Sequence, residues 1–141
     1  MTGLVQMTAV AIAGRGMLID GAPGIGKSSL ALALVDRGAA LVGDDGLALD
    51  LRGGALFASP APATAGMIEV RNVGIVRLPH AAAVPACLVI LLDPDAPRFI
   101  DAAERRSIGG ADLPQVRLWP DSPVLALRAE MALQAHGLPP A

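Results

Sequence analysis

The sequence predicts an α/β fold: a mixed sheet with flanking helices, built around a phosphate-binding loop. Three observations carry this. Gly21-Ala22-Pro23-Gly24-Ile25-Gly26-Lys27-Ser28 fills every position of G-x-x-x-x-G-K-[ST]. An apolar strand-like stretch, Met17-Leu18-Ile19, runs into that loop, and a helix-like stretch over residues 29–37 runs out of it. Further short apolar runs, separated by glycine and proline, fill most of the remaining chain. The loop has a physical logic. Its glycines let successive N–H groups turn toward one anion, and the helix start adds partial positive charge. In this motif Lys27 reaches the β- and γ-phosphates, and the Ser28 hydroxyl can ligate Mg²⁺. Ser29, next in the chain, lies in the same phosphate-binding stretch.

In order, residues 5–13 read as a strand of small and β-branched residues, Gly14-Arg15-Gly16 as a turn, and residues 17–20 as a second strand. The helix after the loop carries Leu30, Leu34 and Val35 on one face, and Gly38 ends it. Residues 39–43 form a short buried strand ending in Asp44-Asp45. A right-handed strand–helix–strand crossover returns the chain to the sheet edge it left. Asp44 and Asp45 therefore arrive beside the loop. Adjacent residues of an extended chain point to opposite sides, so their roles should differ. Residues 47–51 and 55–59 pair as a hairpin around Arg52-Gly53-Gly54. After Pro60 and Pro62, residues 67–76 read as one strand, with Glu69 and Arg71 on one side and Ile68 and Val70 on the other.

Residues 86–92 are the clearest strand, and Asp93 at its end competes for the role of magnesium-linked carboxylate. The charged stretch Asp101, Glu104, Arg105 and Arg106 reads as a solvated face. Residues 115–119 form a last short strand. A closing helix over 124–136 offers Leu125, Leu127, Met131 and Leu133 to the core. His136 at its end and His80 beside Pro79 read as surface residues.

Bulk properties narrow the function. At 141 residues the chain is expected to be one domain, 1–141. With 53% hydrophobic and 17% charged residues it is globular rather than disordered. Aromatics at 2% argue against stacking platforms for single-stranded nucleic acid. A net charge of −2 provides no basic field for nucleic acid or acidic membrane. The single Cys87 sits in an apolar run as a core residue, and no Cys/His cluster suggests a zinc site. No apolar run reaches membrane-helix length and no signal peptide is visible, so a cytoplasmic protein is expected.

Four blocks of the chain, taken together, resemble the catalytic domain of the HPr serine kinase/phosphorylase family. They are residues 21–28 followed by Leu30-Ala31-Leu32 and Arg37-Gly38; Leu41-Val42-Gly43-Asp44-Asp45; Ile68-Glu69-Val70-Arg71-Asn72-Val73-Gly74-Ile75; and, more weakly, Glu104-Arg105-Arg106. The likeness covers roughly residues 1–135 and is closest to short alphaproteobacterial forms without the family's N-terminal domain. It implies the HPr kinase/PEP carboxykinase-like catalytic fold, ATP and Mg²⁺ as cofactors, and an HPr-like phosphocarrier protein as the serine-bearing partner, with phosphorolysis as the reverse reaction. It also implies a homo-oligomer. Lys27 would neutralise phosphate charge, and Ser28 and Glu69 would hold Mg²⁺. Asp45 would be the general base, with Asp44 supporting it or the metal, and Arg105 would stabilise the transferred phosphoryl. That reading demotes Asp93. Gln6 stands where the family has a histidine, and glutamine carries no proton near neutral pH. The alternative reading is therefore an ATP-sensing regulatory module that binds a signalling or phosphotransferase partner.

Overall fold

A computed structural model describes residues 2–140. Among these residues the strands are β1 (Thr2–Val5), β2 (Thr8–Ile12), β3 (Arg15–Asp20), β4 (Ala40–Gly43), β5 (Leu47–Arg52), β6 (Ala55–Pro60), β7 (Met67–Val70), β8 (Gly74–Arg77), β9 (Val84–Leu92), β10 (Glu104–Ile108) and β11 (Ala111–Leu118). Helix α1 spans Lys27–Asp36 and helix α2 spans Leu125–His136, with a 3-10 turn at Pro62–Thr64. The expected α/β mixed sheet is present. Its main path runs β1-β5-β6-β9-β3-β2-β4, and β11 joins β9 with β10 outside it.

Strand direction explains where the site lies. β3 is parallel to β9, and β9 to β11. β2 is antiparallel to both β3 and β4, so β4 runs the same way as β3. The crossover from β3 through α1 to β4 therefore returns to the same sheet edge, with β2 inserted between the two strands. Four strands end at that edge, which is where open α/β sheets bind ligands.

The central strands are buried on both faces. Met17 and Ile19 of β3, with Leu88, Ile90 and Leu92 of β9, pack with Leu30, Ala31 and Leu34 of α1 and Ala129, Ala132 and Leu133 of α2. Leu18 of β3 and Val89 of β9 face the opposite core, closed by Leu47, Leu49, Leu56 and Ala58 of the β5–β6 hairpin. The sheet curls because β9 changes partner along its length. Its first residues, Val84 and Pro85, pair with β6, and Val89–Leu92 pair with β11. Helix α1 ends as its sequence requires. Gly38 adopts φ +108, its N–H donates to the Val35 carbonyl, and Ala39 N–H donates to that of Leu34. This pair of bonds forms a Schellman cap, and only glycine takes that φ without strain.

Several sequence expectations need correction. The strand expected over 5–13 is two strands, broken at Gln6 and Met7, where the chain passes from β1 on the β5 edge to β2 in the centre. The strand expected over 67–76 is a separate two-stranded hairpin, because Asn72 takes φ +68 and turns the chain. The charged stretch read as a solvated face includes strand β10, paired to β11, with Glu104 and Arg105 exposed and Arg106 half-buried. In α2, Leu127 and Met131 are exposed, and Ala129 and Ala132 take their expected places in the core.

Candidate active site

The phosphate loop joins β3 to α1. Gly24 and Gly26 adopt φ +78 and +117, and a turn closes with Ile25 N–H donating to Ala22 O at 3.1 Å. Lys27 folds back over the loop, its Nζ donating to Gly21 O at 2.8 Å and Ala22 O at 3.4 Å. Ile25 turns inward and packs against the helix-side core. Asp20 anchors the start of the loop. One carboxylate oxygen accepts from Gly21 N–H at 2.9 Å, and the other pairs with Arg106 Nη2 at 2.9 Å.

Asp44 is tied into the sheet edge. Its Oδ1 accepts from Ser28 Oγ at 2.5 Å and from Thr8 Oγ1 at 3.2 Å, and its Oδ2 accepts from Glu69 N–H at 3.1 Å. One carboxylate therefore links α1, β2 and β7. Thr8 is fully buried and works in both directions, because its Oγ1 also accepts from Asp45 N–H at 3.1 Å. Asp45 is held differently. Its backbone is left-handed at φ +53, a conformation that aspartate tolerates better than most residues. Among the described residues its carboxylate makes no hydrogen bond or ion pair, and it is exposed in the cleft. The two neighbouring aspartates thus have different environments, but both line the cleft: they lie beyond the end of β4, and the left-handed turn at Asp45 breaks the extended chain on which the expectation of opposite sides rested.

The resulting cleft has a volume of about 400 Å³. Gly21, Pro23, Gly24, Gly26, Lys27, Ser28 and Ser29 line one side, and Asp44, Asp45 and Glu69 face them. Ala22 and Ile25, expected with the loop, supply backbone and packing rather than cleft wall. Gln6 and Arg71 complete the rim, and Arg71 Nη2 donates to Gly24 O at 2.7 Å, clasping the loop from the β7–β8 turn.

Arg105 is not brought to this cleft. It lies exposed on β10, its Nε 3.2 Å from Asp112 Oδ2. Alternation along β10 sends its neighbour Arg106 to Asp20 instead. Asp93 also stays outside. It accepts from Asp95 N–H at 2.8 Å and pairs with Arg117 Nη1 at 2.9 Å, and these contacts lower its pKa from the ordinary value. Glu104 is lowered likewise by Arg117 and Gln115. Burial raises the Cys87 thiol, in keeping with a core residue. Sequence reasoning missed Thr8 and Arg106. A lone threonine in an apolar strand was the available signal for Thr8. Arg106 had none, because its strand was not foreseen.

A glycine-rich loop at the carboxyl end of a central strand, facing a locked and a free aspartate, defines a P-loop phosphate-binding α/β domain. The family described as HPr Serine kinase C-terminal domain matches residues 3–83, and this chain belongs to that family. Among curated proteins, HPr kinase/phosphorylase of Clostridium tetani is 42% identical over 81 residues, 57% of this chain and 27% of that protein. HPr kinase/phosphorylase of Clostridium novyi is 46% identical over 70 residues, 50% of this chain and 23% of that one. The chain thus spans about a quarter of the length of the curated relatives it matches. Among solved structures, the Hpr(Ser) kinase/phosphatase from Coxiella burnetii superposes with a TM-score of 0.83 at 26% identity, covering 94% of each chain. Among the described residues no helix is long and apolar enough to cross a membrane.

Proposed function

We propose that this chain is an ATP- and Mg²⁺-dependent protein-serine kinase acting on an HPr-like phosphocarrier protein. The observation that carries the reading is the split between Asp44, fully engaged by Ser28, Thr8 and the Glu69 amide, and Asp45, free at the mouth of the same cleft. A kinase needs both: one carboxylate to fix the metal-binding hydroxyl, and one to receive a proton.

The residues present fit a magnesium nucleotide. Three carboxylates and two cations line the cleft, so a bare polyphosphate would meet net negative charge and a divalent cation would offset it. Among the described residues no group of three or more His, Cys, Asp or Glu is arranged as a metal cage. That suits Mg²⁺, which is held by one or two side chains, phosphate oxygens and water. Bound MgATP would supply the transferable γ-phosphoryl and neutralise charge on its oxygens. Ser28 and Glu69 would hold the metal, with Asp44 orienting the Ser28 hydroxyl. Lys27 would leave the loop carbonyls for the β- and γ-phosphates. Asp45 would take the proton of the acceptor serine as its oxygen bonds to phosphorus and the β–γ bridge breaks. In phosphorolysis the same carboxyl would return it. Arg71, already at the rim, is better placed than Arg105 to meet the transferred group.

The test is transfer of labelled γ-phosphate to a serine of the host's HPr-like protein. Asp45→Asn should keep nucleotide binding and lose transfer by about 10²-fold or more, the usual worth of a general base. Gln6 at the rim favours a second reading, an ATP-sensing module without transfer. Nucleotide binding with no transfer by the wild type, and unchanged cellular function of Asp45→Asn, would favour that module instead.

A further inference from the structure

A second cavity, of about 310 Å³, opens at the same sheet edge as the phosphate loop. The segment after β9 (Ala96, Pro97, Arg98), the end of β11 (Arg117, Trp119) and Arg128 of α2 line it. From this cavity we infer that the chain holds the nucleoside end of its nucleotide against Trp119. The inference rests on reading the first cleft as the phosphate site.

Asp20 is in register with Leu91 of β9, and Leu91 with Arg117 of β11. The start of the phosphate loop and the edge of the second cavity are therefore two strand spacings apart, roughly 10 Å. A nucleoside triphosphate is long enough to bridge that gap. The catalytic carboxylates lie on the other flank of the loop, toward β4, so a nucleotide with its γ-phosphate there must direct its base toward β9 and β11.

Trp119 is 39% exposed despite its size, and its Nε1 donates to Ala96 O at 2.6 Å, which fixes the ring plane. The Arg128 guanidinium sits 5.7 Å from the ring centroid, near the outer limit of cation–π contact. Among the described residues neither Arg98 nor Arg128 pairs with a carboxylate. An aromatic face with donor-only arginines suits a flat, acceptor-rich ring. The path between the two cavities is also prepared. Asp20 and Asp93, which end β3 and β9, are each covered by an arginine at 2.9 Å, Arg106 and Arg117. Those two carboxylates are therefore compensated where phosphates would cross that edge.

The chain has one tryptophan and no tyrosine, so its emission reports on this cavity. The full chain is titrated with MgATP and with magnesium tripolyphosphate, following fluorescence and calorimetric affinity. ATP should change Trp119 emission, while tripolyphosphate alone should change it little and, by displacing ATP, should return it to the ligand-free value. Trp119→Ala should weaken ATP about tenfold, the scale of one lost base stack, and leave tripolyphosphate affinity unchanged. Trp119→Phe should restore most of the affinity. If Trp119→Ala does not fold by circular dichroism, the Arg98→Ala/Arg128→Ala variant replaces it, both side chains being exposed. Wild-type binding of ATP with no gain over tripolyphosphate, or unchanged ATP affinity in the folded variant, overturns the nucleoside site. Tripolyphosphate that fails to bind, or ATP binding unaffected by Lys27→Ala, overturns the phosphate-loop reading instead.

Discussion

At the scale of single residues, the site depends on one buried hydroxyl. Thr8 donates to Asp44 and accepts from Asp45 N–H, so it sets the position of both aspartates. Thr8→Val keeps the shape and removes both bonds. Asp44 retains Ser28 and the Glu69 amide, but the Asp45 amide loses its acceptor. An unpaired donor costs about 1–3 kcal/mol when buried, and this partly buried one belongs at the lower end. Urea unfolding of Thr8→Val should show a loss in that range, with Mg²⁺-dependent nucleotide affinity also reduced. A loss below about 0.5 kcal/mol, the scale of neutral surface changes, would mean that Thr8 only fills space.

At the scale of elements, the β7–β8 hairpin contributes two groups to the cleft and belongs to a sheet of its own. Its contact with the loop is Arg71 to Gly24 O at 2.7 Å. Arg71 is exposed, so Arg71→Ala should change global stability by no more than about 0.5 kcal/mol. The amides of residues 67–77 should nevertheless exchange faster, because a locally held hairpin opens independently of the core. Unchanged exchange there would show that the hairpin is fixed by Ile68 in the core rather than by the clasp. This element also marks what the sequence made legible. The residues 21–28 motif, the Asp44-Asp45 pair and β9 were readable because their signals are local: fixed spacing, a crossover rule, an unbroken apolar run. The β7–β8 turn rests on Asn72 at φ +68, and a single strand-poor residue inside a strand-like run is a weak turn signal. The choice of Arg105 rests on the family resemblance alone, because the residues by themselves do not reveal strand β10. Without the strand, alternation could not say which arginine meets Asp20. The break at Gln6 and Met7 is likewise a tertiary decision, imposed by which strand each half pairs with.

At the scale of the whole molecule, a polar chain crosses the sheet edge. It runs from Gly21 N–H through Asp20, Arg106, Gln115, Glu104 and Arg117 to Asp93. Gln115 is buried within it, which holds the β10–β11 hairpin to the central strands. Asp93 and Glu104 both titrate below their ordinary values in the folded chain. A carboxyl with a lowered folded pKa adds stability above its unfolded value, near 4, and that stability is lost as pH falls through the folded value. Unfolding free energy should therefore fall as pH drops below about 4. Arg117→Gln, which removes the cation shared by both carboxylates, should flatten that fall. Equal acid slopes for the two proteins would show that the chain of contacts is not kept in solution.

The phosphate loop lies on the strand shared by both cores, and this gives nucleotide binding a global readout. β3 sends Met17 and Ile19 to one core and Leu18 to the other, so the loop cannot come apart without loosening both. A ligand that binds only the folded state stabilises by RT ln(1 + [L]/Kd), about 2.7 kcal/mol at a hundredfold excess over Kd. For a chain of 141 residues each kcal/mol raises Tm by roughly 3–5 °C, so saturating MgATP should shift the single unfolding transition by about 8–13 °C. Lys27→Ala should unfold near the wild-type temperature without ligand, because that side chain bonds only partly exposed loop carbonyls. It should lose most of the shift, because the ammonium proposed to meet the phosphates is gone. Two separated transitions, with only one moving on addition of nucleotide, would mean that the two faces of the sheet do not unfold as one unit. A full shift in Lys27→Ala would mean that the stabilising ligand is not held by this loop.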